Sequence, residues 1–162
     1  MTVTNIETDL DALTLTVAAE FAAPAERTWQ LWADPRQLER WWGPPTYPAT
    51  FIHHDLTPGS LVTYFMTSPE GERYHGWWRV VAVDAPRTLE VEDGFGKADG
   101  TVDETMPVTN MLVTLTTSDE GGTRVQITSR YASRAAMDQL VAMGMEEGLT
   151  AAMGQMDTIV AE

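Results

Sequence analysis

The fold is decided by the stretch 60–83, which reads SLVTYFMTSPEGERYHGWWRVVAV. Two runs in it, 60–68 and 73–83, are rich in β-branched and aromatic residues, as strands are. Between them lies the sequence PEG at 69–71, a cluster of turn-forming residues. This pattern predicts an antiparallel hairpin.

The hairpin register determines which side chains share a face. If the segment 69–72 is the turn, Tyr64 lies opposite Trp77 and Met66 lies opposite His75, because antiparallel partners keep a constant index sum. Side chains alternate along a strand, so one face carries Val62, Tyr64, Met66, His75, Trp77, Arg79, Val81 and Val83. The other face carries Leu61, Thr63, Phe65, Tyr74, Trp78 and Val80. Both faces hold aromatic residues, so the pattern alone leaves the inner face open.

Strand patterns continue on both sides of this hairpin. Upstream, apolar residues fall on odd positions from Leu13 until Pro24 ends the run. The remaining predicted strands, each bounded by turn-forming residues, are 46–55, 87–93, 107–117 and 123–131. Sequential neighbours are expected to pair antiparallel.

Helical patterns occur after the first strand and at the end of the chain. Pro24 suits a helix start, and the helical pattern that follows is interrupted at Asp34-Pro35, which predicts two short helices. From Ser133, a suitable N-cap, apolar residues recur at spacings of three and four. Read as one continuous helix, this segment is roughly 40 Å long.

Composition indicates one domain over residues 1–162. Of 162 residues, 43% are hydrophobic, which supplies apolar surface for one substantial core. The chain contains no cysteine, so disulfides, thiolate metal sites and cysteine nucleophiles are excluded.

Charge and hydropathy exclude further classes of partner. Ten basic residues against 24 acidic residues give a formal net charge of −14, so a nucleic acid would meet a repulsive average field. No apolar run approaches the roughly 20 residues that span a bilayer, and the first ten residues lack the features of a signal peptide. We therefore expect no nucleic-acid binding, no membrane insertion and a cytoplasmic location.

A series of short motifs extends over most of the chain. It begins with APAERTW at 23–29, followed by Trp32, Asp34-Pro35, Leu38 and WWGP at 41–44. It continues with DLTPG at 55–59, EGE at 70–72, VDAPRTL at 83–89, GGTRV at 121–125 and GMEEG at 144–148. In order and spacing, this series resembles the family named after the activator of the heat-shock-protein-90 ATPase.

The resemblance implies an α+β fold of the START-like, or helix-grip, superfamily. In this fold a curved antiparallel sheet wraps around a long C-terminal helix and encloses a cavity. The family's apolar positions match Val62, Tyr64, Met66 and Val81, which implies that their face is the inner one. A Trp is common in the family where this chain has Leu149, so we expect a larger cavity beside that residue. The eukaryotic co-chaperone also carries a separate amino-terminal domain, which we do not expect here because the first predicted strand starts near Leu10.

Candidate polar clusters do not form a recognisable catalytic or metal site. In His53-His54-Asp55, adjacent strand residues point to opposite faces, so only His53 and Asp55 could converge, and two ligands do not make a metal site. Ser-His-Asp, phosphate-loop and paired-carboxylate motifs are absent. We assign no catalytic residue, no metal and no cofactor.

The expected binding site lies between the inner sheet face and the final helix. Its predicted ligand-binding residues are Tyr64, Met66, His75, Trp77, Arg79, Met145, Leu149 and Met153. Aromatic rings would stack on an apolar ligand, and Arg79 would hold an anionic head group or form an ion pair. The favoured function is binding of a small hydrophobic or aromatic molecule.

Two other functions stay open. One is a cyclase- or hydrolase-type enzyme that uses His75, Arg79 and Tyr64 in the same cavity. The other is a protein-interaction module with a chaperone partner, related to the co-chaperone. A homodimer is compatible with each reading, and fold alone does not decide among them.

Overall fold

The structure, a computed structural model, describes residues 2–162. Within them the chain forms eight strands, which are β1 (Thr2–Asp9), β2 (Thr14–Phe21), β3 (Ala49–His53), β4 (Leu61–Thr67), β5 (Arg73–Asp84), β6 (Thr88–Phe95), β7 (Thr109–Thr117) and β8 (Thr123–Tyr131). The helical segments are α1 (Ala25–Ala33), α2 (Pro35–Trp41), α3 (Arg134–Ala142), α4 (Met145–Met153) and α5 (Met156–Val160). None of these helices is long and apolar enough to cross a membrane.

All eight strands belong to one antiparallel sheet. Its order is β1-β2-β8-β7-β6-β5-β4-β3, so β1 and β3 form the two edges. The helices lie against the inner face of the curved sheet, and the predicted α+β, helix-grip fold class is confirmed.

The edge strand β1 was not predicted from the sequence. Its sequence, TVTNIETD, has a single large apolar residue after position 3, Ile6, and that side chain is exposed. An edge strand that pairs on one side and buries little has no alternating apolar pattern to detect.

The predicted β4–β5 register is wrong by one residue. Tyr64 pairs with Gly76, Met66 with Tyr74, and Trp78 with Val62. The loop has three residues rather than four, and it closes with Gly71 in the left-handed conformation at φ +89°. The one-residue difference turns the β5 side chains before Val81 to the opposite face.

A β-bulge between Val80 and Ala82 then returns the last residues of β5 to their predicted faces. Trp78 and Val80 are buried on the inner face, whereas Val81, which the resemblance placed inside, is exposed. After the bulge, Val83 pairs with Leu89 and packs against the core.

The two short helices after the first predicted strand are confirmed. Pro24 precedes α1, and the Asp34 carboxylate caps α2 by accepting a hydrogen bond from the Arg36 backbone N–H at 2.9 Å. These helices pack against α5, where Arg27 donates to the Ile159 carbonyl.

The C-terminal helical region begins where predicted, but it is not continuous. Ser133 caps α3 by accepting from the Ala136 N–H at 3.0 Å. Gly144 then takes a left-handed conformation at φ +88°, which separates α3 from α4, and a second break at Gly154 separates α4 from α5. After this break, the α4 residues Met145, Gly148 and Leu149 lie over one end of the inner sheet face.

Candidate functional site

A cavity of about 660 Å³ lies between α4 and one end of the inner sheet face. Its wall is mostly apolar and aromatic, and it includes Leu15, Trp42, Tyr64, Met66, Phe95, Met111, Leu140, Met145 and Leu149. A concave, apolar space of this size with a few polar groups is typical of a small-molecule site.

Three polar residues of the cavity wall and the neighbouring Trp78 lie in one row across the sheet. Tyr131 pairs with Thr109, Thr109 pairs with Asp93, and Asp93 pairs with Trp78. Paired residues point to the same face, so all four side chains face inward. Neighbouring strands lie roughly 4.8 Å apart, so the backbones of Tyr131 and Asp93, two strands apart, are separated by about 10 Å along the cavity floor.

Asp93 and Tyr64 form a hydrogen-bonded pair on this floor. The Tyr64 hydroxyl donates to Asp93 Oδ1 at 3.1 Å. The ring reaches this position by lying over Gly76, where an added Cβ would come within 2.4 Å of Tyr64 Cζ. A glycine at position 76 is therefore part of how the sequence builds the pair.

Burial shifts the pKa of both members of the pair. Desolvation raises the pKa of Asp93 to about 7, against smaller opposing effects of hydrogen bonding to Tyr64 and of the nearby Trp78 indole. Desolvation, together with the neighbouring Asp93 charge, raises the pKa of the Tyr64 hydroxyl well above its usual range. Near neutral pH the site therefore holds a carboxyl that can exchange a proton and a tyrosine that keeps its proton.

A further polar atom in the wall, the Tyr131 hydroxyl, is buried and has no hydrogen-bond partner within the described residues. The Trp42 indole lies beside the Tyr64 hydroxyl. Burial raises the pKa of Tyr131 with a smaller contribution from Glu146, so this hydroxyl is a neutral donor or acceptor. Buried polar groups are normally paired, and a ligand could supply the partner.

Five of the predicted ligand-binding residues border the cavity. Tyr64, Met66, Met145 and Leu149 lie on its wall. His75 borders the mouth, because its side chain lies on the outer face of β5, beside the Phe65 ring and the backbone of Gly96.

The other three predicted residues lie elsewhere. The changed register places Trp77 and Arg79 on the outer face, where Arg79 is exposed and Trp77 lies over Gly94 and donates to the Phe95 carbonyl at 3.0 Å. Met153 is fully buried in the core, behind the cavity wall. The expectation that His75, Trp77 and Arg79 face α4 across the cavity is therefore corrected.

The His53-His54-Asp55 cluster is spread apart. The His54 ring bonds through Nε2 to the Trp32 carbonyl at 2.8 Å, and His53 is exposed. Asp55 accepts from the Thr57 hydroxyl at 2.6 Å. Over residues 2–162, no group of three or more His, Cys, Asp or Glu side chains has the geometry to hold a metal ion.

Comparison with known proteins agrees with the observed fold. The family model described as "Activator of Hsp90 ATPase homolog 1-like protein", AHSA1, matches residues 22–161. The chain belongs to this family. No curated protein matches it significantly.

Several solved structures share this fold over nearly the whole chain. The crystal structure of protein Ms6760 from Mycobacterium smegmatis is 49% identical, covers 98% of this chain and 96% of its own, and has a TM-score of 0.89. A solution structure from Arthrobacter aurescens is 42% identical, covers 99% and 92%, and has a TM-score of 0.94. The AHSA1 protein of Silicibacter pomeroyi, at 21% identity, 91% and 97% coverage and a TM-score of 0.73, shares the fold alone.

Asp93 is the functional candidate that sequence reasoning missed. Leu89 and Val91 are fully buried at alternate positions of β6, and Asp93 continues the same phase. An acidic residue in register with a buried apolar run was therefore detectable in this AHSA1 sequence, because side chains two apart share a face.

Proposed function

We propose that this AHSA1 protein binds a small hydrophobic or aromatic molecule in the cavity between α4 and the sheet. The observation that carries the proposal is an apolar space of about 660 Å³ with aromatic walls and a hydrogen-bonding pair on its floor. A well-packed core of this size would not leave such a volume unfilled. The membership of the AHSA1 family, whose START-like fold suits ligand binding, supports the same function.

The inner side of α4 supports it further. Met145, Gly148, Leu149 and Ala152 lie at helical spacing toward the sheet, and an added Cβ at Gly148 would find no atom within 4 Å. A glycine in the middle of a helix costs up to about 1 kcal/mol relative to alanine. The space that Gly148 and Leu149 leave open is a structural reason for that cost.

The hypothesis of a cyclase- or hydrolase-type enzyme that uses His75, Arg79 and Tyr64 is not favoured by the geometry. It needs His75 and Arg79 beside Tyr64, and these two side chains lie on the outer face of β5. A chaperone-binding role finds no specific observation in its favour among residues 2–162. Ligand binding is therefore the function that we put forward.

A cavity-filling substitution tests the proposal. Gly148→Leu should weaken binding of Nile red, a neutral apolar dye, by about tenfold or more, because the added side chain occupies the ligand's space. The free energy of unfolding should stay unchanged or rise by up to about 1 kcal/mol, since leucine is the better helix former. Dye fluorescence and urea denaturation measure the two effects.

Ala151→Leu is the matched control, because Ala151 is exposed on the same helix and does not border the cavity. It should leave dye affinity unchanged. Leu149→Trp, which restores the family's usual residue, should also weaken dye binding with little change in stability. Unchanged dye affinity in both inner variants, or no saturable dye binding by the wild type, would contradict the proposed function.

A further inference from the structure

Asp93 is a partly buried carboxyl without a positively charged partner. Within residues 2–162, none of the ion pairs involves it, and the donors beside it are neutral: the Tyr64 hydroxyl donates to Oδ1 at 3.1 Å, and the Trp78 indole lies next to the carboxyl. A buried carboxylate is costly unless a cation or several donors compensate it. Asp93 borders the cavity, so a ligand in the cavity can reach it.

The groups beside Asp93 on neighbouring elements are neutral. They are Tyr64 on β4, Trp78 on β5, Thr109 on β7, Tyr131 on β8 and Trp42 after α2. Glu146 on α4 adds a negative charge near Tyr131. Aromatic rings beside a carboxylate favour a cation, because the ring faces carry partial negative charge.

The basic groups of the cavity mouth have partners of their own. Lys97 lies near Asp99 and Asp103 and contributes to the lowered pKa of each carboxyl. The Arg73 guanidinium lies 4.4 Å from the centroid of the Phe65 ring, on the outer face. Neither they nor His75 contributes to the pKa of Asp93, so they do not neutralise the carboxyl.

We propose that the ligand of this cavity is an apolar or aromatic amine whose protonated nitrogen pairs with Asp93. The inference rests on the proposed function and specifies the chemical class of its ligand. An anionic ligand would meet Asp93 as a like charge, in a protein whose formal net charge is −14. A neutral hydrogen-bonding ligand would leave the ionised carboxyl uncompensated.

Binding of an amine is then linked to the protonation of Asp93. An aliphatic amine stays charged between pH 6 and pH 8, whereas the free Asp93 carboxyl has a pKa of about 7. The amine favours the ionised carboxylate, so its binding releases a proton wherever Asp93 is protonated in the free protein. Affinity should therefore fall by about tenfold from pH 8 to pH 6.

Three probes with the same ring system test the inference. They are 1-naphthylmethylamine, 1-naphthylmethanol and 1-naphthoic acid, titrated calorimetrically into the wild type and Asp93→Asn at pH 6 and pH 8. In the wild type at pH 8, the amine should bind about tenfold tighter than the alcohol, and the acid should bind weakest. Asp93→Asn should remove both the preference for the amine and its pH dependence, while the affinity for the alcohol is retained.

The outcomes separate this inference from the proposed function. If the alcohol binds the wild type as tightly as the amine, the amine class is overturned and the binding function stands. A preference for the amine that survives in Asp93→Asn would trace to the acidic surface and would also overturn the inference. If none of the three probes binds, both the inference and the proposed function fail.

Discussion

Asp93→Asn should raise the free energy of unfolding at pH 8 by about 2 to 4 kcal/mol and change it little near pH 4. In the wild type the Asp93 pKa rises from 3.8 to about 7, chiefly through desolvation. At full value this difference corresponds to roughly 4 kcal/mol, and the partial exposure of Asp93 to solvent reduces it. The asparagine amide carries no charge and can still accept the Tyr64 hydrogen bond.

The direction of this pH dependence follows from the number of protons bound to Asp93 in the folded and unfolded states. Between about pH 4 and pH 7 the folded protein holds a proton on Asp93 that the unfolded chain has lost, so wild-type stability falls relative to the variant as pH rises. Above pH 7 the difference is constant. Urea denaturation of both proteins across this range measures it.

Asp99→Asn serves as the control of opposite sign. Asp99 is exposed, and hydrogen bonds from Thr101 lower the pKa of its carboxyl. Asp99→Asn should therefore lower the free energy of unfolding above the pKa of an unfolded aspartate and change it little at lower pH. If the difference between the wild type and Asp93→Asn does not depend on pH, Asp93 is not a desolvated carboxyl.

Trp78→Ala should lower the free energy of unfolding by about 3 to 5 kcal/mol. The Trp78 side chain is fully buried on the inner face, with its ring centroid 4.9 Å from that of Trp42 and 5.6 Å from that of Phe51. Its removal leaves a cavity among rings that cannot collapse into the space. Chemical denaturation measures the loss.

Arg79→Ala is the neighbouring control. Arg79 is exposed on the outer face, so its truncation should change stability by no more than about 0.5 kcal/mol. A large cost at Arg79 with a small cost at Trp78 would instead support the register predicted from the sequence.

Most of the fold follows from local sequence patterns. Strands β2 to β8 are marked by alternating apolar residues or by β-branched and aromatic runs between turn-forming clusters, and α1, α2 and α3 by Pro24, Asp34-Pro35 and Ser133. What the pattern did not fix was the β4–β5 register. That register depends on whether Gly71 ends a three-residue loop in the left-handed conformation, and a one-residue change in loop length reverses a strand's faces.

The site was predictable only in part for the same reason. Tyr64 and Met66 lie on β4, whose inner face was predicted correctly, and Met145 and Leu149 lie on the inner side of α4. Trp77 and Arg79 depended on the register of β5 and lie outside. The pair of Tyr64 with Asp93 joins strands that are not neighbours, so no local pattern could have indicated it.

The most direct test of ligand binding in this cavity is a methyl NMR titration of protein labelled at methionine methyl groups. Met66, Met111, Met143 and Met145 lie on the cavity wall, whereas Met137 and Met156 are fully buried in the core away from it. Addition of 1-naphthylmethanol should shift the four wall methyl resonances in a saturable manner and leave the two core resonances nearly unchanged. Saturable shifts confined to Met137 and Met156, or no shifts at any methionine, would contradict a ligand site between α4 and the sheet.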